Sequence, residues 1–172
     1  MKLETKRLIL RKLTLNDVED IHGYMSKPEV THYLTLERHQ SPTDTLLFVK
    51  QMIDLYDAKG IKLWGIECKQ NQKLIGTISL TPWQKRPIAG IGYLISPQYW
   101  NKGIATEAVK EIIKFAFEEL GLQRIQAQCI SQNIASAAVL EKVGMYYEGI
   151  QKNKIKLNGK SYDIKSYFII KN

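Results

Sequence analysis

Apolar residues recur along this chain with two different periods, and the places where one gives way to the other mark its elements. From Ala105, the positions Ala105, Ala108, Val109, Ile112, Ile113, Ala116, Phe117 and Leu120 follow the spacing of one helix face, and Gly121 then supplies a stop. Just ahead, Ile91 to Ile95 is a short, β-rich apolar run closed by Pro97. Strand, basic turn and amphipathic helix are therefore expected in succession. Arg124 to Ile130 reads as the next strand, and the intervening helix lets it lie parallel to its predecessor.

The flanks follow the same logic. Arg7 to Arg11 alternates as a strand does, and Asn16 with Glu19 forms a capping-box pattern before a helix carrying Val18, Ile21 and Met25, ended by Pro28. Ser41-Pro42 opens a second helix with Leu46, Leu47, Val49, Ile53 and Tyr56 on its apolar side and Gly60 as its stop. Leu63 to Cys68, Leu74 to Leu80 and Ile91 to Ile95 have short connections and predict an antiparallel meander. Asn133 caps a short helix with Ala135, Val139, Leu140 and Val143, closed by Gly144. Two last strands, Tyr146 to Leu157 and Lys160 to Ile170, meet at Asn158-Gly159, the strongest short hairpin signal. The expectation is one α/β (α+β) domain over residues 1–172, a mixed, mostly antiparallel sheet of about seven strands flanked by about four helices.

Composition narrows the function classes. In 172 residues, 44% hydrophobic and 24% charged side chains are those of a globular chain with a sizeable core. No apolar run approaches the roughly 20 residues of a bilayer span, and the N-terminus lacks a signal-peptide pattern, so a cytoplasmic location and no membrane partner are expected. Cys68 and Cys129 sit in strand-like apolar settings and read as buried thiols. His22, His32 and His39 lack ligand spacing, so no metal is expected. A net charge of +8 favours anionic partners, while no pattern for sequence-specific nucleic-acid binding accompanies it.

The turn Trp100-Asn101-Lys102-Gly103-Ile104-Ala105 brings free amides, a lysine and a glycine to the positive end of a helix, the chemistry an anion needs. Helix N-termini are generic anion sites, so the turn alone does not name a ligand.

The order of elements together with particular residues resembles the GNAT superfamily of N-acetyltransferases, in particular its RimJ/RimL-like branch of ribosomal-protein N-terminal acetyltransferases. The resemblance is carried by residues 5–11, Leu74-Ile75-Gly76, Ile91 to Ile95, Tyr99 to Ala108, Asn133 to Ser136, Leu140 to Met145 and Glu148-Gly149. It implies acetyl-coenzyme A as co-substrate, with Trp100, Asn101, Lys102, Gly103, Ile104, Ala105 and Thr106 as the pyrophosphate loop. Leu94 and Ile95 would offer main-chain groups to the pantetheine arm, Asn133 would contact that arm, and Ser136 would be the catalytic residue at the sulfur. Asn101 stands where relatives often have glycine, and its tolerance of the left-handed region should preserve the loop. The position where many members carry a tyrosine acid is Leu140.

What the resemblance implies is transfer of an acetyl group to a primary amine by direct attack. Magnitudes favour a peptide α-amine, which needs far less help to deprotonate: freeing it at pH 7 costs about 1 kcal/mol, against about 4.6 kcal/mol for a lysine ε-amine. A ribosomal protein is one candidate acceptor. An aminoglycoside or polyamine acetyltransferase is the runner-up, and a non-catalytic coenzyme-binding or ribosome-associated module the alternative from another class. The chain is expected to be a monomer or homodimer. Asn133 also reads simply as a helix cap, Ser136 as a small packing residue, Tyr93 and Tyr99 as packing, and Glu67 as a strand glutamate rather than an essential base. Acceptor specificity is expected from residues 29–36 and the hairpin 151–167, whose Lys152, Lys154 and Lys156 form a basic row.

Overall fold

An eight-stranded sheet in the order β1-β2-β3-β4-β5-β6-β8-β7 is the frame on which everything else is placed. It belongs to a computed structural model that describes residues 2–58, 62–82 and 86–171. The strands are β1 (Leu3–Glu4), β2 (Leu8–Arg11), β3 (Lys62–Cys68), β4 (Leu74–Pro82), β5 (Ile88–Ile95), β6 (Arg124–Ile130), β7 (Tyr146–Leu157) and β8 (Lys160–Ile170). The helices are α1 (Val18–Met25), α2 (Pro28–Thr31), α3 (Pro42–Ala58), α4 (Ile104–Glu118) and α5 (Ile134–Lys142), with 3-10 turns at Leu15–Asp17 and Pro97–Tyr99. The additional strand is the two-residue β1, and the additional helix is α2. Pro28 does end α1, but it also takes the first position of α2, where its missing N–H costs nothing.

The meander β2-β3-β4-β5 is antiparallel, and β6 runs parallel to β5 across the α4 crossover. Alternation along the strands divides the core in two. On one face Leu8, Leu10, Trp64, Ile66, Ile78 and Ile91 pack with Val109, Ile112 and Ala116 of α4 and Leu140 of α5. On the other, Leu13 and Leu74 pack with Ile21, Tyr24 and Met25 of α1 and Val49 of α3. Leu47, expected on the apolar side of α3, is instead 61% exposed. The expected helix stop at Gly60 lies outside the described residues.

Local signals decide several boundaries. Asn158 and Gly159 both have positive φ, 49° and 80°, as the tight hairpin turn between β7 and β8 requires. The capping box lies upstream of Asn16-Glu19, on the 3-10 turn that leads into α1: the Asp17 carboxylate accepts from the Thr14 amide (2.7 Å) and hydroxyl (3.3 Å), and is gripped by both terminal nitrogens of Arg11 (2.9 and 2.8 Å). Among the described residues no helix is long and apolar enough to cross a membrane. Both cysteines are buried and free.

Candidate active site

The parallel pairing of β5 with β6 is short. It runs from Ile88 opposite Arg124 to Gly90 opposite Gln126 and stops there, although both strands continue, to Ile95 and Ile130. Beyond Gly90 the sheet therefore opens, and strand edges that would normally pair are left facing one another across a gap. The sequence elements singled out for chemistry gather around this opening: the turn into α4 on one side, the start of α5 on the other.

Main-chain directions on β5 follow from two bonds. Ser96 N donates to Ile75 O of β4 (2.7 Å), whereas Ile95 O accepts from the Trp100 indole N–H (2.7 Å), away from β4. Strand alternation then turns the groups of Leu94 toward Thr77 of β4, and those of Tyr93 and Ile95 toward the opening. Of the two residues expected to present main-chain groups, Leu94 thus faces the sheet, and the carbonyl of Ile95 already has the Trp100 indole. The reason is the period of two, which a resemblance by position does not resolve.

The turn into α4 is held open by backbone geometry. Asn101 and Gly103 both lie in the left-handed region, at φ 58° and 72°, which confirms the tolerance expected of the asparagine. The Trp100 amide donates to Pro97 O, and the first helical bond of α4 is Glu107 N to Gly103 O. Between them the amides of Asn101 to Thr106 make no hydrogen bond among the described residues. A succession of unpaired N–H groups at the positive end of a 15-residue helix is an anion cradle built from main chain. Lys102 adds an exposed ammonium, 5.6 Å from the centre of the Tyr99 ring.

A clamp that the sequence reading missed fixes this turn. Arg7 donates from Nε to Glu107 Oε2 (2.6 Å), from its amide to Glu107 Oε1 (2.9 Å) and from Nη1 to Lys102 O (2.8 Å). Thr5 Oγ1 donates to the same Glu107 Oε1 (2.5 Å). Burial works against ionisation of Glu107, but the Thr5 hydroxyl and the Arg7 amide and guanidinium outweigh it and hold its carboxyl below the ordinary value. Arg7 thereby ties the Lys102 carbonyl to Glu107 in the first turn of α4. Thr5, Arg7 and Glu107 all fell within motifs noted for the resemblance; their pairing across about a hundred residues left no local signal.

Across the opening, Asn133 caps α5 by accepting from Ser136 N (3.1 Å). The Ser136 hydroxyl lies 3.0 Å from the Tyr93 hydroxyl, which is also 3.1 Å from Ser136 O. Burial raises the Tyr93 phenol to about 12 and pushes up the Cys129 thiol. Glu67 is bonded to Arg11 Nε (2.5 Å), so the strand glutamate is a structural ion-pair partner. Tyr99 accepts from Asn71 (2.8 Å), a turn contact as expected. Among the described residues no group of three or more His, Cys, Asp or Glu could hold a metal ion.

The sequence profile of the acetyltransferase (GNAT) domain matches residues 7–146. The chain belongs to the GNAT family. It is an acetyl-coenzyme A-dependent N-acetyltransferase, in keeping with its 39% identity over 170 residues to N-acetyltransferase YoaA of Bacillus subtilis (strain 168), covering 98% of this chain and 96% of that relative. The crystal structure of a GNAT-family acetyltransferase from Bacillus anthracis superimposes with a TM-score of 0.89 at 31% identity, covering 99% of this chain and 98% of the other. The fold is shared too with RimL, a ribosomal L7/L12 α-N-protein acetyltransferase in complex with coenzyme A, at a TM-score of 0.89 and 22% identity, over 99% of this chain and 98% of that one.

Proposed function

We propose that this GNAT enzyme acetylates the N-terminal α-amine of a polypeptide, by direct attack of the amine on the thioester in a ternary complex. The observation that carries the cofactor half of this reading is the run of unpaired amides from Asn101 to Thr106, at the mouth of the β5–β6 opening. Asn101, Lys102, Gly103, Ile104, Ala105 and Thr106 bind the pyrophosphate with their main chain, and Lys102 adds charge. Trp100 braces the loop through Ile95 O. Ile95, with Tyr93 in place of Leu94, turns main-chain groups toward the pantetheine arm, which Asn133 meets from α5. Acetyl-coenzyme A supplies the activated acyl group; Ser136 donates to the sulfur as it leaves. The thiol has a pKa near that of cysteine, about 8.5, so the absence of a tyrosine at Leu140 is tolerable at neutral pH.

The acceptor half is supported by the sheet face opposite α4 and α5. There Gln128 is exposed and donates to Ser166 (3.3 Å), and Tyr146 lies against Phe168. Arg124 stacks on Phe168 at 4.1 Å and pairs with Glu148, so the carboxylate of this face is already neutralised. Neutral amides and hydroxyls suit the main chain of a peptide better than they suit a polycation, and the net charge of +8 repels one. RimL is a ribosomal-protein acetyltransferase of the same fold, which makes ribosomal-protein N-termini the first acceptors to try. A thiol-release screen over N-terminal peptides, aminoglycosides and polyamines tests the proposal. Turnover confined to peptides is expected; turnover confined to polyamines or aminoglycosides would replace it, and tight acetyl-coenzyme A binding without amine-dependent release would make the protein a binding module.

A further inference from the structure

The opening between β5 and β6 is bridged at one point by side chains. Tyr93 lies beyond the last β5–β6 pair, yet its hydroxyl reaches α5 and meets both the side chain and the carbonyl of Ser136. A phenol has one proton and here has two acceptors, Oγ at 3.0 Å and the carbonyl oxygen at 3.1 Å. When the phenol donates to the carbonyl, the Ser136 proton is taken up by the phenol oxygen. When the phenol donates to Oγ, the Ser136 proton is released to point elsewhere. Only two hydroxyl rotors differ between these arrangements.

We infer that Tyr93 is the positioning residue of the Ser136 hydroxyl, supplying the hydrogen bond that frees the serine proton to face the coenzyme sulfur. The inference rests on the reading of Ser136 given above. During transfer the amine nitrogen forms the new C–N bond, the C–S bond breaks and its electron pair leaves on sulfur. Ser136 donates a hydrogen bond to that sulfur, Tyr93 donates to Ser136, and the proton lost by the amine passes to water. Coupled donors of this kind strengthen one another as charge develops at the end of the chain. With its phenol raised to about 12, Tyr93 stays protonated across any workable assay range and acts as a fixed donor, not as an acid. Burial likewise pushes up the thiol of Cys129, on the adjoining strand β6, which disfavours a thiolate there.

A mere brace across the opening would predict something different, and a double-mutant cycle separates the two. Tyr93→Phe and Ser136→Ala each remove one oxygen. Ser136→Ala should lower kcat about a hundredfold, as loss of a donor acting directly on a developing charge does, and Tyr93→Phe about tenfold because it acts through Ser136, with KM for acetyl-coenzyme A unchanged within about twofold in both. The double variant should be no slower than the slower single variant, because Tyr93 works only through Ser136. Independent, multiplying losses, or a Tyr93→Phe enzyme with full kcat while Ser136→Ala is slow, overturn the role of Tyr93 alone. A Ser136→Ala enzyme with full kcat overturns the reading of Ser136 itself. Should Tyr93→Phe fail to fold, 3-fluorotyrosine incorporated at position 93 keeps the shape and strengthens the donor. A changed kcat at constant KM then supports the inference, and an unchanged kcat overturns it.

Discussion

The two sides of the β5–β6 opening are built on opposite plans. On the α4 side the groups proposed to bind the co-substrate are backbone amides, set by two left-handed residues, Asn101 and Gly103, in a turn tied by Arg7 and Glu107. On the β6 side, beyond which the hairpin of β8 and β7 continues the sheet, the groups proposed to meet the acceptor are side chains, and the register of that hairpin slips twice, between Tyr147 and Gly149 and between Gln151 and Ile155. A backbone cradle accepts one ligand chemistry and is indifferent to most side-chain changes around it. A side-chain surface can be retuned residue by residue. An enzyme with one fixed co-substrate and an adjustable acceptor needs this division, and it can be broken at either end.

The largest effect is expected at Gly103. Gly103→Asp sets a carboxylate against the pyrophosphate and beside Arg7 Nη2, which lies 3.5 Å from where a Cβ would sit. Like-charge juxtaposition costs several kcal/mol, so calorimetry should find acetyl-coenzyme A affinity lowered by at least about a hundredfold. Asparagine and aspartate both tolerate φ near 72°, so Gly103→Asn carries similar backbone strain without the charge and should lose much less. Equal losses in the two variants would show that shape, not charge, governs the turn.

A smaller effect is expected at the clamp. Glu107→Gln leaves Arg7 without its ionised partner and relaxes its hold on Lys102 O, so KM for acetyl-coenzyme A should rise about three- to tenfold while kcat at saturation is retained. The pH dependence has a definite sign. Because the folded Glu107 carboxyl lies below its unfolded value, its stabilisation is complete above about pH 4.3 and is lost as the pH falls through the lower folded value. The difference in melting temperature between wild type and Glu107→Gln should therefore shrink on acidification from about pH 5 to about pH 3. A constant difference would mean that the carboxylate contributes by packing alone.

What was legible in the sequence divides along the same line. Asn158-Gly159, the Asn133 cap, the glycine of the α4 turn and the β-α-β crossover were readable because each is decided by the φ preference or periodicity of a few neighbouring residues. The capping box lies not at Asn16-Glu19 but at Thr14-Asp17, on the 3-10 turn ahead of α1, where Arg11, on a strand, holds Asp17. The basic row of Lys152, Lys154 and Lys156 is interrupted for a similar reason. Asp163 on the opposite strand pairs with Lys152 (2.8 Å) and accepts from the Asn153 amide (2.9 Å), Asn153 turns to φ 48°, and alternation is lost there. Tyr93 with Ser136, and Arg7 with Glu107, could be recognised only once the chain was folded, since pairs this far apart leave no period and no local motif.

The smallest effect is the one that tests the acceptor side. Gln128 is exposed, its side chain donates to Ser166 over 3.3 Å, and it sits on the sheet face that is proposed to receive the peptide. Gln128→Ala removes a neutral donor and acceptor from that face without opening a cavity, so stability should change by no more than about 0.5 kcal/mol. One neutral hydrogen bond to a peptide amide is worth about 0.5–1.5 kcal/mol, which corresponds to a rise of roughly two- to tenfold in KM for the acceptor peptide. The KM for acetyl-coenzyme A should not move, because among the described residues no hydrogen bond joins the Asn101–Thr106 amides to β6. A change in both constants would show that the two sides of the opening are coupled, and the division of labour between backbone cradle and side-chain surface would have to be replaced by a single site whose halves close together.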